Sequence, residues 1–157
     1  MDELSARAEP TGAGSPELRL WVRLLRCAKI GEKRLRRNFE DQFDTTLPRF
    51  DVMAALHREP DGMSMGRLSK ALLVSNGNVT SIVRQLHTQG LIRSRPDPQD
   101  GRSAIVSLTV EGEKQFKLLA EAHHRWIADI FSSVAPSRID QLVEGLGELR
   151  RLLGDKT

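Results

Sequence analysis

The sequence predicts a mainly α fold carrying one small β-hairpin. Three observations predict it. Apolar residues recur at helical steps of three and four in six segments of the 157-residue chain. Only two short segments have strand character, and the turn-rich stretch 96–102 separates them. Two short helical segments, 65–72 and 76–89, are joined by a tight break directly before that hairpin. A helix pair with a tight turn, followed by a hairpin, reads as a winged helix-turn-helix, with long N- and C-terminal helices left for dimerisation.

Residues 1–16 are polar and interleaved with Pro10, Gly12, Gly14 and Pro16, the composition of a disordered leader. The unit expected to fold is 17–154, with dimerisation helices at 17–43 and 110–154 and a DNA-binding lobe at 46–108. In the first helix the apolar stripe is Trp21, Leu24, Leu25, Ala28, Leu35, Phe39 and Phe43. Asp44, Thr45 and Thr46 supply capping chemistry, and Pro48 suits the first turn of a second helix ending near His57. Glu59-Pro60-Asp61-Gly62 is a turn signal. Ser64 can cap the third helix, whose inward residues are Leu68, Ala71 and Leu72. Ser75 can cap the fourth, which turns Val79, Ile82, Val83 and Leu86 inward and stops at Gly90.

Strands follow at 91–95 and 103–108, the second placing Ala104, Val106 and Leu108 on one side. Thr109 caps a long fifth helix with Glu111 and Glu113 in its first turn, where the helix dipole favours acids. Its stripe is Phe116, Leu119, Ala120, His123, Trp126, Ile127 and Ile130. Pro136 opens the last helix. There Ile139, Leu142, Leu146, Leu149 and Leu153 step by alternating threes and fours, a coiled-coil-like seam.

Composition narrows the function. The net charge is +3 and 39% of residues are hydrophobic, so any nucleic-acid patch must be local. Five Phe, two Trp and no Tyr leave little for stacking single-stranded bases. One cysteine, Cys27, excludes an internal disulfide or a paired-cysteine metal site. No apolar run approaches the ~18 residues of a membrane span, so the expected location is cytoplasmic, with no membrane partner.

The outer face of the fourth helix carries Asn76, Asn78, Thr80, Ser81, Arg84, Gln85 and His87, with no acid. An ordinary solvated helix would carry Glu and Lys there. Asn, Gln and Arg instead match the paired donors and acceptors of base edges in a major groove. From 63 to 102 there are six basic residues against two acids, a local net of +4, more than the whole chain's +3. The excess sits where DNA-reading elements would lie.

The strings Asn78-Val79-Thr80, Gln89-Gly90-Leu91-Ile92, 95–102 and Leu108-Thr109-Val110-Glu111-Gly112 resemble the MarR-type winged-helix regulators, and the likeness runs from about Glu17 to Gly154. It implies a homodimer on a palindromic double-stranded operator, with DNA contacts from Ser75, Asn76, Asn78, Thr80, Ser81, Arg84, Arg93 and Arg95. It also implies a wing arginine, Arg102, in the minor groove, and Asp100 orienting cationic side chains at the wing. Arg67 departs from the pattern, standing where the family commonly has an acid after the Ser/Thr cap.

The resemblance further implies a small-molecule effector, and the stretches 21–27 and 47–53 look like the branch controlling aromatic-acid breakdown. The expected effector is an aromatic acid or its acyl-CoA thioester, and the expected action is repression relieved by it. Trp21, Leu25, Phe50, Met53, His123 and Trp126 would form the apolar part of the site, and Lys29, Arg36 and Arg37 would hold thioester phosphates. As plain structure, the first set reads as core and the basic run as a solvated face. Two other functions compete: redox sensing through Cys27, expected to be buried and inert, and a winged-helix protein-interaction module. His123 and His124 point to different sides of a helix and make no metal site, so neither a metal nor a cofactor is expected. No phosphate-cradling loop or activated nucleophile marks an enzyme.

Overall fold

The computed structural model describes residues 14–72 and 76–154, without the side chains of Asn76 and Gly77. Helix α1 (Pro16–Phe43) begins where the Ser15 hydroxyl accepts the Leu18 N–H at 3.3 Å, and it ends at Asp44 in the left-handed region. Helix α2 (Leu47–His57) is capped by Thr46, with Pro48 in its first turn. Strand β1 (Met63–Ser64) leads into α3 (Met65–Leu72), and Ser64 accepts the Arg67 N–H at 3.3 Å. Then come α4 (Asn76–Thr88), β2 (Ile92–Pro96), β3 (Ala104–Leu108), α5 (Val110–Ile130) and α6 (Pro136–Leu152).

The sheet has order β1-β3-β2, all antiparallel. Its third strand is a departure from the expected hairpin. Met63 pairs with Val106 and Ser64 with Ile105. The turn before it requires Gly62, at φ +84°, because a Cβ there would lie 2.6 Å from the Val106 carbonyl oxygen.

The core has two joined parts. Val79, Ile82, Val83 and Leu86 of α4, all buried as expected, sit in one cluster with Leu68, Val52, Leu56, Met63, Ile92, Val106 and Leu108. The third helix deviates: Leu68 is inside, but Ala71 is exposed and Ser69 is buried. The second part is aromatic. Phe39 is wholly buried, with ring centroids of Phe50 and Trp126 each 4.9 Å away. His123 stacks at 4.7 Å on Phe50, tying α5 to α2.

Burial, and secondarily the neighbouring His124, holds the His123 imidazole below its ordinary value of 6.5. The folded chain therefore binds this proton less readily than the unfolded one. Stability is full above pH 6.5 and falls as pH drops below that value. Thermal melts from pH 7.5 to 5 are expected to show this decline, and His123→Leu to flatten it; an equal slope in the variant would put the effect elsewhere.

Two apolar faces find no cover within the chain. Of α1, only Leu35 and Phe39 are buried, both toward its C-terminal end, while Leu18, Leu20, Trp21, Leu25 and Ile30 are exposed. Helix α6 buries no residue at all, so its seam of Leu142 and Leu146 faces outward.

Candidate DNA-binding surface

Helix α4 is fixed at its exit by a chain of local bonds. Gly90 adopts φ +72°, which lets its N–H reach the His87 carbonyl at 2.9 Å and the Leu91 N–H reach Leu86 at 3.0 Å. Thr109 then joins this exit to the start of α5. Its hydroxyl donates to the Gly90 carbonyl at 2.7 Å, its backbone N–H donates to Leu91 at 3.0 Å, and its Oγ1 accepts the Gly112 N–H at 3.0 Å. The approach is so close that a Cβ on Gly112 would lie 2.0 Å from the Leu91 oxygen. Sequence reasoning placed Thr109 as a cap and missed this clamp, whose only local trace is the glycine three residues after the cap.

With α4 held there, Asn78, Thr80, Ser81, Arg84, Gln85 and His87 are all exposed, and no acid interrupts them. Ser75 and the Asn76 side chain lie outside the described residues. On β2, Arg93 and Arg95 share one face of the strand. Arg93 Nε donates to Ser107 Oγ at 3.1 Å, its registered partner on β3. Arg95 donates to the Asp61 carbonyl at 3.3 Å, bracing the wing against the turn before β1. Both guanidinium groups keep further N–H donors for phosphates.

At the wing tip the acids shape the backbone. Asp97 accepts the Gln99 N–H at 2.9 Å and Asp100 accepts the Arg102 N–H at 3.1 Å. Asp100 was expected to orient cationic side chains; its bond is instead to the main chain of Arg102, an Asx turn that aims the tip. Arg67, the departure noted in sequence, pairs with Glu59 at 3.3 Å, which offsets part of its charge.

A family model described as the MarR family matches residues 43–103, the stretch from the end of α1 through the wing tip. A MarR family transcriptional regulator of known structure from Silicibacter pomeroyi is 36% identical, superposes with a TM-score of 0.71, and covers 89% of this chain and 95% of that one. The chain belongs to the MarR family of transcriptional regulators. As a MarR-family protein it binds DNA through a winged helix-turn-helix, and its work is regulation rather than catalysis. The transcriptional activatory protein BadR of Rhodopseudomonas palustris is 34% identical over 105 residues, which span 66% of this chain and 59% of BadR. Sco3205, a MarR family regulator from Streptomyces coelicolor solved in complex with DNA, shares the fold at a TM-score of 0.77 and 21% identity, covering 94% of this chain and 91% of that one.

The residues expected to line an effector site in this MarR-family chain do not come together within one protomer. Phe50, Met53 and Trp126 are core, and His123 is half-buried beside them. Trp21 and Leu25 are exposed, and they precede Phe39 on the same helix by about 27 and about 21 Å at a rise of ~1.5 Å per residue. They cannot share a pocket with Phe50 in the same chain. Lys29, Arg36 and Arg37 line a shallow depression that also holds Glu32 and Glu40. Arg36 lies 3.9 Å from Glu32 and Arg37 3.3 Å from Asp41, so acids of the same helix already answer two of the cations. Cys27 is exposed, contrary to the buried thiol expected. No helix among the described residues is long and apolar enough to cross a membrane.

Proposed function

We propose that this regulator acts as a homodimer on a palindromic double-stranded operator, and that it represses until a small aromatic acid or its acyl-CoA thioester releases it. The observation that carries the reading is the acid-free outer face of α4, followed directly by a wing with Arg93, Arg95 and Arg102. In this reading α4 enters the major groove with Asn78, Thr80, Ser81 and Arg84 toward bases and phosphates, Ser75 and Asn76 lie at its phosphate-facing start, and Arg102 reaches the minor groove. Residues 46–108 form the reading lobe of a single unit, 17–154. The exposed apolar faces of 17–43 and 110–154 supply the dimer. Both faces meet what a twofold interface needs, a long apolar stripe left open by the chain's own packing.

The test is a fluorescence-anisotropy titration of DNA from upstream of the chain's own gene at two salt concentrations. Saturable binding that weakens steeply with salt is expected; salt-insensitive binding to a protein partner alone would favour the interaction-module reading. BadR is named for activation, so in vitro transcription with and without ligand decides the sign of regulation. Arg102→Ala is expected to weaken operator binding by roughly tenfold or more, at about 1–3 kcal/mol per lost arginine contact. The melting temperature should hold, because the bond Arg102 gives to Asp100 comes from its main chain, which alanine keeps. An unchanged affinity would remove Arg102 from the interface.

A further inference from the structure

A cavity of about 160 Å³ opens between the end of α1, α2, the exit of α4 and α5. Phe43, Met53, Leu86, Leu91 and Leu119 give it an apolar wall, and Arg49, Gln89 and Gln115 give it polar groups. Asp44, also in the lining, is exposed. Arg49 is the unusual member. Its Nε is buried and has no hydrogen-bond partner among the described groups, while its terminal nitrogen donates to the Gln89 side-chain oxygen, forty residues away at the foot of the recognition helix. A buried donor left without an acceptor costs about 1–3 kcal/mol, and Arg49 makes no ion pair among the described residues. A guanidinium with one edge unanswered, beside an apolar hollow, is suited to a carboxylate that takes two parallel N–H bonds.

We infer that this cavity is the effector site, and that it takes a single-ring or similarly small monocarboxylate whose carboxylate binds Arg49. The inference rests on the regulator reading above and decides between its two ligand classes. An apolar cavity of about 150 Å³ accommodates benzene, so the volume here fits one ring and excludes a nucleotide-bearing thioester. The ligand also has a route to the DNA surface. A carboxylate on Arg49 competes with the Gln89 oxygen for the same guanidinium. Loss of that bond frees the exit of α4 from α2, and any shift in the spacing of two recognition helices reduces operator affinity.

The experiment uses the full chain, with benzoate as probe, benzamide as its neutral isostere and benzoyl-CoA as the thioester. Calorimetry is expected to give one benzoate per protomer, with benzamide and benzoyl-CoA at least tenfold weaker. Arg49→Met is expected to lose benzoate binding at least tenfold while keeping wild-type circular dichroism. Should that variant fail to fold, Arg49→Lys, which keeps the charge but loses the fork, reads the same loss. Gln89→Met is the second arm: it should bind benzoate at least as well as wild type, yet its operator affinity should no longer fall when benzoate is added. Benzoate binding unchanged by both Arg49 variants, benzoyl-CoA binding tighter than benzoate, or no benzoate binding at all would each overturn the assignment. DNA binding by the ligand-free protein, read in parallel, stands or falls separately. Operator binding without benzoate binding removes the cavity alone, whereas benzoate binding through Arg49 without operator binding removes the operator reading and leaves the site.

Discussion

Gly112→Ala is expected to be among the most damaging small substitutions in this chain, with a loss of about 3 kcal/mol and a fall in melting temperature of roughly 10 °C. The added methyl would sit 2.0 Å from the Leu91 oxygen and 3.3 Å from a Leu108 methyl. The nearest obstacle is main chain, so rotation of a side chain cannot relieve it. The helix must retreat, and retreat stretches the three bonds through which Thr109 grips Gly90, Leu91 and Gly112. Those bonds hold the exit of α4 against the start of α5. Operator affinity is therefore expected to fall even at temperatures where the variant remains folded. Chemical denaturation together with anisotropy on the operator checks both halves. A variant as stable as wild type would mean that Leu91 yields easily, and the clamp would lose its role. Thr109→Val serves as a milder companion, because it removes the hydroxyl from the same clamp without adding bulk against Leu91.

What could be read from the sequence follows the range of the forces involved. The inner face of α4 was legible because Val79, Ile82, Val83 and Leu86 repeat within one helix, and its end was legible because Gly90 is a local stop signal. The caps at Thr46, Ser64 and Thr109 were legible for the same reason. Strand β1 was not. It has two residues, Met63 and Ser64, and exists only through pairing with Val106 and Ile105 some forty positions later. Periodicity also reports that a face wants cover without naming what covers it. The stripe on α1 is continuous from Trp21 to Phe43, yet the chain itself buries only Leu35 and Phe39 of that helix. That is why Trp21 and Leu25 looked like companions of Phe50. Arg49 left no local mark either, since its meaning comes from Gln89 across the fold.

Leu146→Glu is expected to turn the protein into a folded monomer and to abolish high-affinity operator binding. Leu146 lies mid-seam on α6, 49% exposed in the chain, beside Leu142 at 51%. No residue of α6 is buried, so the protomer's own core does not depend on it. If the seam faces a second copy, a twofold interface places the new carboxylate in it twice. An unpaired buried charge costs several kcal/mol, so the dimerisation constant should weaken by at least about a thousandfold at ~1.4 kcal/mol per decade. The effect on DNA follows by geometry rather than by contact. A dimer binds its second half-site at the high effective concentration set by the first, and losing that linkage costs about two to four decades of affinity. Sedimentation at micromolar concentration, a thermal melt and an operator titration read the three consequences separately. A Leu146→Glu protein that still sediments as a dimer would place the interface off the α6 seam. A monomer with unchanged operator affinity would instead mean that one lobe reads DNA by itself, and the palindromic operator would have to be given up.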